Sequence, residues 1–237
     1  MPYREPRVLP WEQLASLLTD LLFPPRCIAC GQVDTWLCEP CAERIPRLEG
    51  PVCPRCGMPG AKAAPCPRCQ QSPPRLEGIR SVFLFDGLVR DAIHRLKYRH
   101  GRQLARPLGQ AMADFWTRHP CPVDVIVPVP LHFSRFLQRG YNQSALLGYE
   151  MGRRLGLPLD ESLQRTRATA SQMRLKAADR RQNVQGAFAC ADGRLAGRRV
   201  LLIDDVCTTG ATLEACADAA RAGGATAVWA LTLARAP

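Results

Sequence analysis

Four CxxC pairs crowd into one stretch of this chain: Cys27/Cys30, Cys38/Cys41, Cys53/Cys56 and Cys66/Cys69. Two intervening residues let both sulfurs of a pair face one ion, and tetrahedral zinc takes two such pairs at Zn–S distances of about 2.3 Å. Eight cysteines therefore suit two ions. The assignment preferred over a crossed one is sequential, with Cys27, Cys30, Cys38 and Cys41 on one ion and Cys53, Cys56, Cys66 and Cys69 on the other. Gly31 and Gly57, each directly after a pair, supply the tight turn that brings amide N–H groups toward the sulfurs. Disulfides are the rival reading, opposed by the paired spacing and by a reducing compartment. Four thiolates leave no open coordination position, so both zinc ions are expected to be structural. The stretch is rich in proline and glycine and poor in periodic apolar residues, so its folding is expected to depend on metal.

The rest of the chain can build a core. Of 237 residues, 46% are hydrophobic and 22% charged, the balance of a soluble globular protein, which sets aside disordered and fibrous classes. No window holds the run of about 18 apolar residues that a membrane-crossing helix requires. The nearest stretch, residues 11–23, contains Glu12 and Asp20 and runs into Pro24 and Pro25, so it reads neither as an anchor nor as a signal peptide. Leu14, Leu17, Leu18, Leu21 and Leu22 share one helical face there, which gives an amphipathic helix over residues 1–23 packed on the protein body. Residues 24–74 then form a double zinc-ribbon module and 75–237 a larger domain, divided near the Pro/Arg-rich residues 72–75. A cytoplasmic location without stable membrane insertion is expected.

In the larger domain strand-like and helix-like segments alternate. Residues 79–85, 123–129, 200–203 and 226–233 read as strands, and 88–98, 102–116, 141–155 and 213–222 as helices. This alternation predicts the α/β class, a mostly parallel sheet covered by helices on both faces, with ligands bound beyond the carboxyl ends of the strands. The most specific segment is VLLIDDVCTTGAT at residues 200–212. An apolar strand delivers Asp204 and Asp205, which can accept hydrogen bonds from ribose hydroxyls or position hydrated magnesium. Cys207, Thr208, Thr209, Gly210, Ala211 and Thr212 then lead into a helix, so backbone N–H groups and threonine hydroxyls can surround a phosphate. An ordinary strand–turn–helix with an acidic cap accounts for one aspartate, but not for the second, the paired threonines and the glycine. Cys207 reads as a small filler, since nothing adjacent would hold it as a thiolate.

The formal net charge is +11, and only three of the 32 basic residues are lysines. Arginine suits bidentate phosphate contact, although a GC-rich genome also yields such a composition. Residues 127–147 combine a strand ending in prolines, a basic loop with Arg135 and Arg139, and a helix opening at Gly140, Tyr141 and Asn142. Arg135, Arg139, Gly140 and Asn142 are the expected pyrophosphate contacts, while Tyr141 reads as core-packed. His132 is the one histidine inside that loop. Two basic runs, at 90–106 and 165–181, are most simply solvated faces. The first, with Lys97, Arg99 and Arg102 around Tyr98, also has what a backbone-tracking nucleic-acid groove needs.

Together the CxxC pairs, LKYR at 96–99, VPVPLH at 127–132, RGYNQS at 139–144, RTRATASQ at 165–172, RRQNVQGAF at 180–188 and IDDVCTTGAT at 203–212 resemble the ComF/GntX family of competence-associated proteins, over nearly all the chain after residue 23. The last segment is similar to the phosphoribosyl-pyrophosphate motif of type I phosphoribosyltransferases. The resemblance implies a zinc-ribbon module and a type I phosphoribosyltransferase fold. It implies Asp204 and Asp205 on the ribose hydroxyls, Cys207 to Thr212 on the 5′-phosphate, and magnesium with the bound sugar phosphate. It also implies a role in natural transformation or the use of external DNA, through single-stranded DNA and alongside DNA-uptake or recombination proteins. Two readings stay open: a protein that binds phosphoribosyl pyrophosphate or a related ligand, and a magnesium-dependent phosphoribosyltransferase whose acceptor no motif identifies.

Overall fold

The computed structural model describes residues 24–60, 64–167, 184–190 and 193–236. The expected helix of residues 1–23 lies outside them, as do Arg174, Lys176, Arg180 and Arg181 of the second basic run and the side chain of Arg99.

The zinc module is one unit used twice. Cys27 N–H donates to the Gln32 carbonyl and Gly31 N–H to the Cys27 carbonyl, and Cys53/Met58 and Gly57/Cys53 repeat both bonds. The third cysteine of each set then donates its N–H to the sulfur of the first, Cys38 to Cys27 at 3.5 Å and Cys66 to Cys53 at 3.3 Å. It also caps a one-turn helix, α1 (Glu39–Glu43) or α2 (Pro67–Gln71). Gly31 and Gly57 have φ of 78° and 69°, the left-handed conformation their turns require.

The larger domain has a wholly parallel four-stranded sheet in the order β1-β6-β5-β2, built from β1 (Gly78–Leu84), β2 (Val125–Pro128), β5 (Arg199–Cys207) and β6 (Ala227–Arg235). A short antiparallel pair, β3 (Leu163–Arg165) and β4 (Phe188–Cys190), forms a second sheet. In β5, Val200, Leu201, Leu202 and Ile203 are all fully buried, as expected of a central parallel strand covered on both faces. Leu201 and Ile203 share a core with Ile93, Met112 and Leu147 of α3 (Gly87–Leu96), α4 (Ala105–Arg118) and α6 (Gln143–Leu155). Val200 and Leu202 pack with Leu213, Cys216 and Ala220 of α7 (Ala211–Ala222). Each such leucine contributes about 2 kcal/mol by leaving water.

The strand β1 is a sheet edge, and the zinc module covers it. Leu48 N–H donates to the Val82 carbonyl at 2.8 Å, and the Arg55 carbonyl accepts from Ile79 N–H at 2.9 Å, so edge groups that would otherwise invite another chain are taken. Two local expectations change. The strand expected at 200–203 runs through the twin aspartates to Cys207, because Thr232, Ala234 and Arg235 of β6 give those residues partners. The expected basic loop is a helix, α5 (Phe133–Arg139), opened by His132, whose Nδ1 accepts from Ser134 N–H, and closed by Gly140 at φ 77°.

Candidate functional site

The carboxyl ends of β2 and β5 and the amino ends of α6 and α7 converge on the twin aspartates. Asp204 Oδ1 accepts from Ser144 Oγ at 3.0 Å and from the Asp205 amide at 2.8 Å. Asp205, 8% exposed, pairs with the Lys97 ammonium at 2.8 Å. Burial pushes the Asp204 carboxyl up, to about 7, and the neighbouring Asp205 charge adds to this; the Asp205 amide, Ser144 and Lys97 pull the other way and lose. Near neutral pH Asp204 therefore has a proton to give up when a ribose hydroxyl or a cation favours its charged form.

Beyond the carboxylates, Thr208, Thr209 and Gly210 make the turn into α7. Gly210 sits at φ 82° as the residue preceding that helix, and a Cβ there would meet Ile79 Cδ1 at 3.2 Å. Among the described residues nothing accepts from the amides of Thr208, Thr209 or Gly210, while the Ala211 amide donates to Thr209 Oγ1 at 3.4 Å. Asp204, Val206, Cys207, Thr208, Gly210, Ala211 and Thr212 line a small cup of about 20 Å³, room for roughly one water-sized group. Larger clefts, of about 410 and 460 Å³, lie along the seam between the zinc module and the sheet, away from this chemistry.

Arg135 and Arg139 stand one turn apart on α5, hence on one face. The Arg139 guanidinium donates to Gln143 Oε1 at 2.8 Å, and its pKa is lowered by burial, opposed by the Asp205 charge. Arg165 of β3 is likewise lowered by burial and by Arg135, with Asp204 opposing, and lies over the Phe188 ring. Lys97 thus pairs with the carboxylates directly, and the charges of Arg139 and Arg165 feel them as well. Asn142 is occupied as a brace: Oδ1 accepts from Ser144 N–H at 3.0 Å and Nδ2 donates to the Val129 carbonyl at 3.0 Å. Tyr141, 4% exposed, turns its hydroxyl onto the carbonyls of Leu96 and Tyr98, and Arg102 stacks on its ring at 5.1 Å. Lys97, expected on a nucleic-acid face, is placed at the aspartates by its pairing with Asp205, and Arg102 lies over the Tyr141 ring.

Sequence reasoning did not single out Ser144, Arg165, Arg68 or Arg235 for this site. Ser144 follows directly on RGYNQ, so its place at a helix start is a signal that could have been used. Arg235 Nη1 lies 2.8 Å from Cys207 Sγ, a neighbour invisible in the local sequence. Burial nevertheless pushes the Cys207 thiol up to about 11, outweighing Arg235, so it stays a thiol at neutral pH.

The eight cysteines gather into two clusters, Cys27/Cys30/Cys38/Cys41 and Cys53/Cys56/Cys66/Cys69, each with its sulfurs within 4.8 Å of one another. Cys30–Cys38 and Cys56–Cys66 are 3.7 Å apart. Four sulfurs about 2.3 Å from a central zinc stand at nearly that spacing, whereas a disulfide needs about 2.05 Å. Burial opposes ionisation of Cys27 and Cys53, but the surrounding backbone amides outweigh it and bring each down to about 6. The residues present fit two structural zinc ions. Among the described residues no helix is long and apolar enough to cross a membrane.

A family model, the double zinc ribbon domain, matches residues 18–70. Among solved structures, the glutamine phosphoribosylpyrophosphate amidotransferase of B. subtilis is 19% identical over 56% of this chain and 27% of that one, with a TM-score of 0.40. A purine phosphoribosyltransferase from Pyrococcus horikoshii is 17% identical over 55% of this chain and 82% of that one, with a TM-score of 0.32. Competence protein ComFC of Bacillus subtilis is 27% identical over 85% of this chain and 86% of its own length. Competence protein F of Haemophilus influenzae is 35% identical over 80% and 87%, and the DNA utilization protein YhgH of Escherichia coli 35% over 88% and 96%. With relatives this similar over nearly their full length, the chain belongs to the ComF family.

Proposed function

We propose that this protein serves DNA uptake or the use of external DNA, as the names of its relatives indicate, and that its sheet-end site binds phosphoribosyl pyrophosphate with magnesium, or a related sugar phosphate. One observation carries the ligand reading: a buried carboxylate pair stands directly beside a turn whose amides have no acceptor among the described residues. Carboxylates suit ribose hydroxyls, free amides suit a phosphate, and the cations of Lys97, Arg135, Arg139 and Arg165 suit a pyrophosphate. Asp204 and Asp205 would face the ribose, Cys207 to Thr212 the 5′-phosphate, and magnesium would arrive on the pyrophosphate. Calorimetric titration with phosphoribosyl pyrophosphate and magnesium tests this. Since binding favours the charged form of Asp204, affinity is expected to rise by up to tenfold per pH unit as pH approaches 7 and to level off above it, with proton release in the same window. A flat profile identical to that of Asp204→Asn would count against the assignment. Pyrophosphate release in the presence of candidate acceptors would favour the transferase reading over simple binding.

Single-stranded DNA is the second proposed ligand. Tyr98, Phe133 and Phe136 are 64%, 68% and 45% exposed and stand within the same basic segments as Arg102, Arg135 and Arg139, a mixture of rings and cations suited to stacked bases and phosphates. Affinity for an oligonucleotide is expected to fall steeply with salt, and replacing Arg99 and Arg102 together should lower the logarithmic slope by about 1–2. A slope unchanged in the double variant would remove these arginines from the DNA path.

A further inference from the structure

The two zinc ribbons share one backbone plan, yet among the described residues only the second hydrogen-bonds to the phosphate loop. Its final pair reads Cys66-Pro67-Arg68-Cys69, against Cys38-Glu39-Pro40-Cys41 in the first. Arg68 Nη2 donates to the Thr209 carbonyl at 2.7 Å, across 141 residues of sequence. That carbonyl shares its peptide plane with the Gly210 amide, and in a trans peptide the two groups point in opposite directions. A guanidinium that fixes the carbonyl therefore fixes the direction of the amide.

A second tie runs alongside the first. Arg235, fully buried, donates through Nη1 to the Cys56 carbonyl at 2.9 Å and lies 2.8 Å from Cys207 Sγ. It joins the turn of the third CxxC pair to the last residue of β5. Among the described residues its Nε and Nη2 have no hydrogen-bond partner, a costly state for a buried cation that a thiolate-bound zinc, with its net negative charge, would ease. Ile79 completes the seat: its N–H donates to the Arg55 carbonyl, and its Cδ1 backs Gly210.

We infer that Arg68 is a positioning residue for the phosphate loop, carried on the second zinc ribbon so that metal loading at Cys53, Cys56, Cys66 and Cys69 sets the direction of the Gly210 amide. The first ribbon has Pro40 where Arg68 stands and packs instead into the core of α3 and α4; its metal holds the fold and leaves the loop alone. The inference rests on the sugar-phosphate reading for its ligand, but not for its geometry.

The test uses the full chain loaded with zinc. Arg68→Ala is expected to keep two zinc ions, to bind phosphoribosyl pyrophosphate with magnesium about tenfold more weakly, the worth of one charge-assisted hydrogen bond, and to lower the NMR order parameter of the Gly210 amide in the ligand-free state. Arg68→Lys should recover part of both, and Glu39→Ala in the first ribbon should change neither. If the unaltered protein binds no phosphoribosyl pyrophosphate, the ligand reading fails and the Gly210 order parameter alone decides the inference. An unchanged order parameter at Gly210 in Arg68→Ala overturns it, and so does loss of zinc from that variant sufficient to explain the weaker binding.

Discussion

Asp204→Asn is expected to give a protein that is more heat-stable at pH 8 than the parent and about two orders of magnitude weaker for phosphoribosyl pyrophosphate. The two effects share one cause. The Asp204 carboxyl is pushed up, to about 7, by burial and by Asp205, so the folded state holds its proton more tightly than the unfolded chain does. The sign follows from linkage. Such a group costs nothing below the unfolded value of about 4, and its penalty grows as pH rises toward 7, where the folded protein must ionise it. The amide carries no charge, and its Oδ1 can still accept from Ser144 and the Asp205 amide, so at about 1.36 kcal/mol per pKa unit the variant should gain up to about 4 kcal/mol at pH 8 and only about 1–2 kcal/mol at pH 5, a difference of several degrees in melting temperature between the two. The loss of affinity follows from replacing a charged acceptor of hydroxyl donors. Thermal scans at the two pH values, with titration at pH 8, check both. Equal melting temperatures at pH 8 would mean that the carboxylate is better solvated than its surroundings imply. The double variant Asp204→Ala with Asp205→Ala should lose the sugar phosphate while keeping DNA binding, which separates ligand site from DNA face.

What could be read from the sequence is what is local to it. Residues 200–212 state a strand, a turn and a helix within one short window, and the structure builds them there. The cysteine pairs are likewise local, and their two sets assemble in sequence order. The misjudged or missed parts depend on partners far along the chain. Lys97 reads as one more member of a basic run, and only the fold brings it 2.8 Å from Asp205, 108 residues away. The aspartates look like the end of a strand because isolated carboxylates disfavour one; β6 overrides that by pairing with Asp204, Val206 and Cys207. The residues of α5 follow two prolines and mix phenylalanine with arginine, so they carry a loop signature, yet the His132 cap and the Gly140 stop are enough for two turns. Three-residue strands such as β3 and β4 are too short to show a period at all.

The largest effect of all should come from removing metal. Treatment with a strong chelator is expected to release two zinc ions per chain and, with them, the structure of the whole ribbon module. A structural zinc site is worth about 10 kcal/mol or more in apparent folding free energy, comparable to the about 5–15 kcal/mol that holds an entire domain together. The damage should not stop at the module. Cys27, Leu37, Cys38 and Ile45 belong to the same core as Phe83, Val89 and Ile93, so freeing the first ribbon opens one face of α3. Freeing the second withdraws Arg55 from Ile79 and Arg68 from Thr209. Withdrawing Leu48 and Arg55 from β1 bares a sheet edge whose unpaired groups favour association, so aggregation should follow metal release. Acid should act in the same direction, because protons compete with zinc for thiolate. Zinc release followed by a chromogenic chelator, with far-ultraviolet circular dichroism and light scattering recorded on the same sample, orders these events. A chain that surrenders both ions and keeps its spectrum and its monodispersity would show that the packed sheet, and not the metal, holds the ribbons in place.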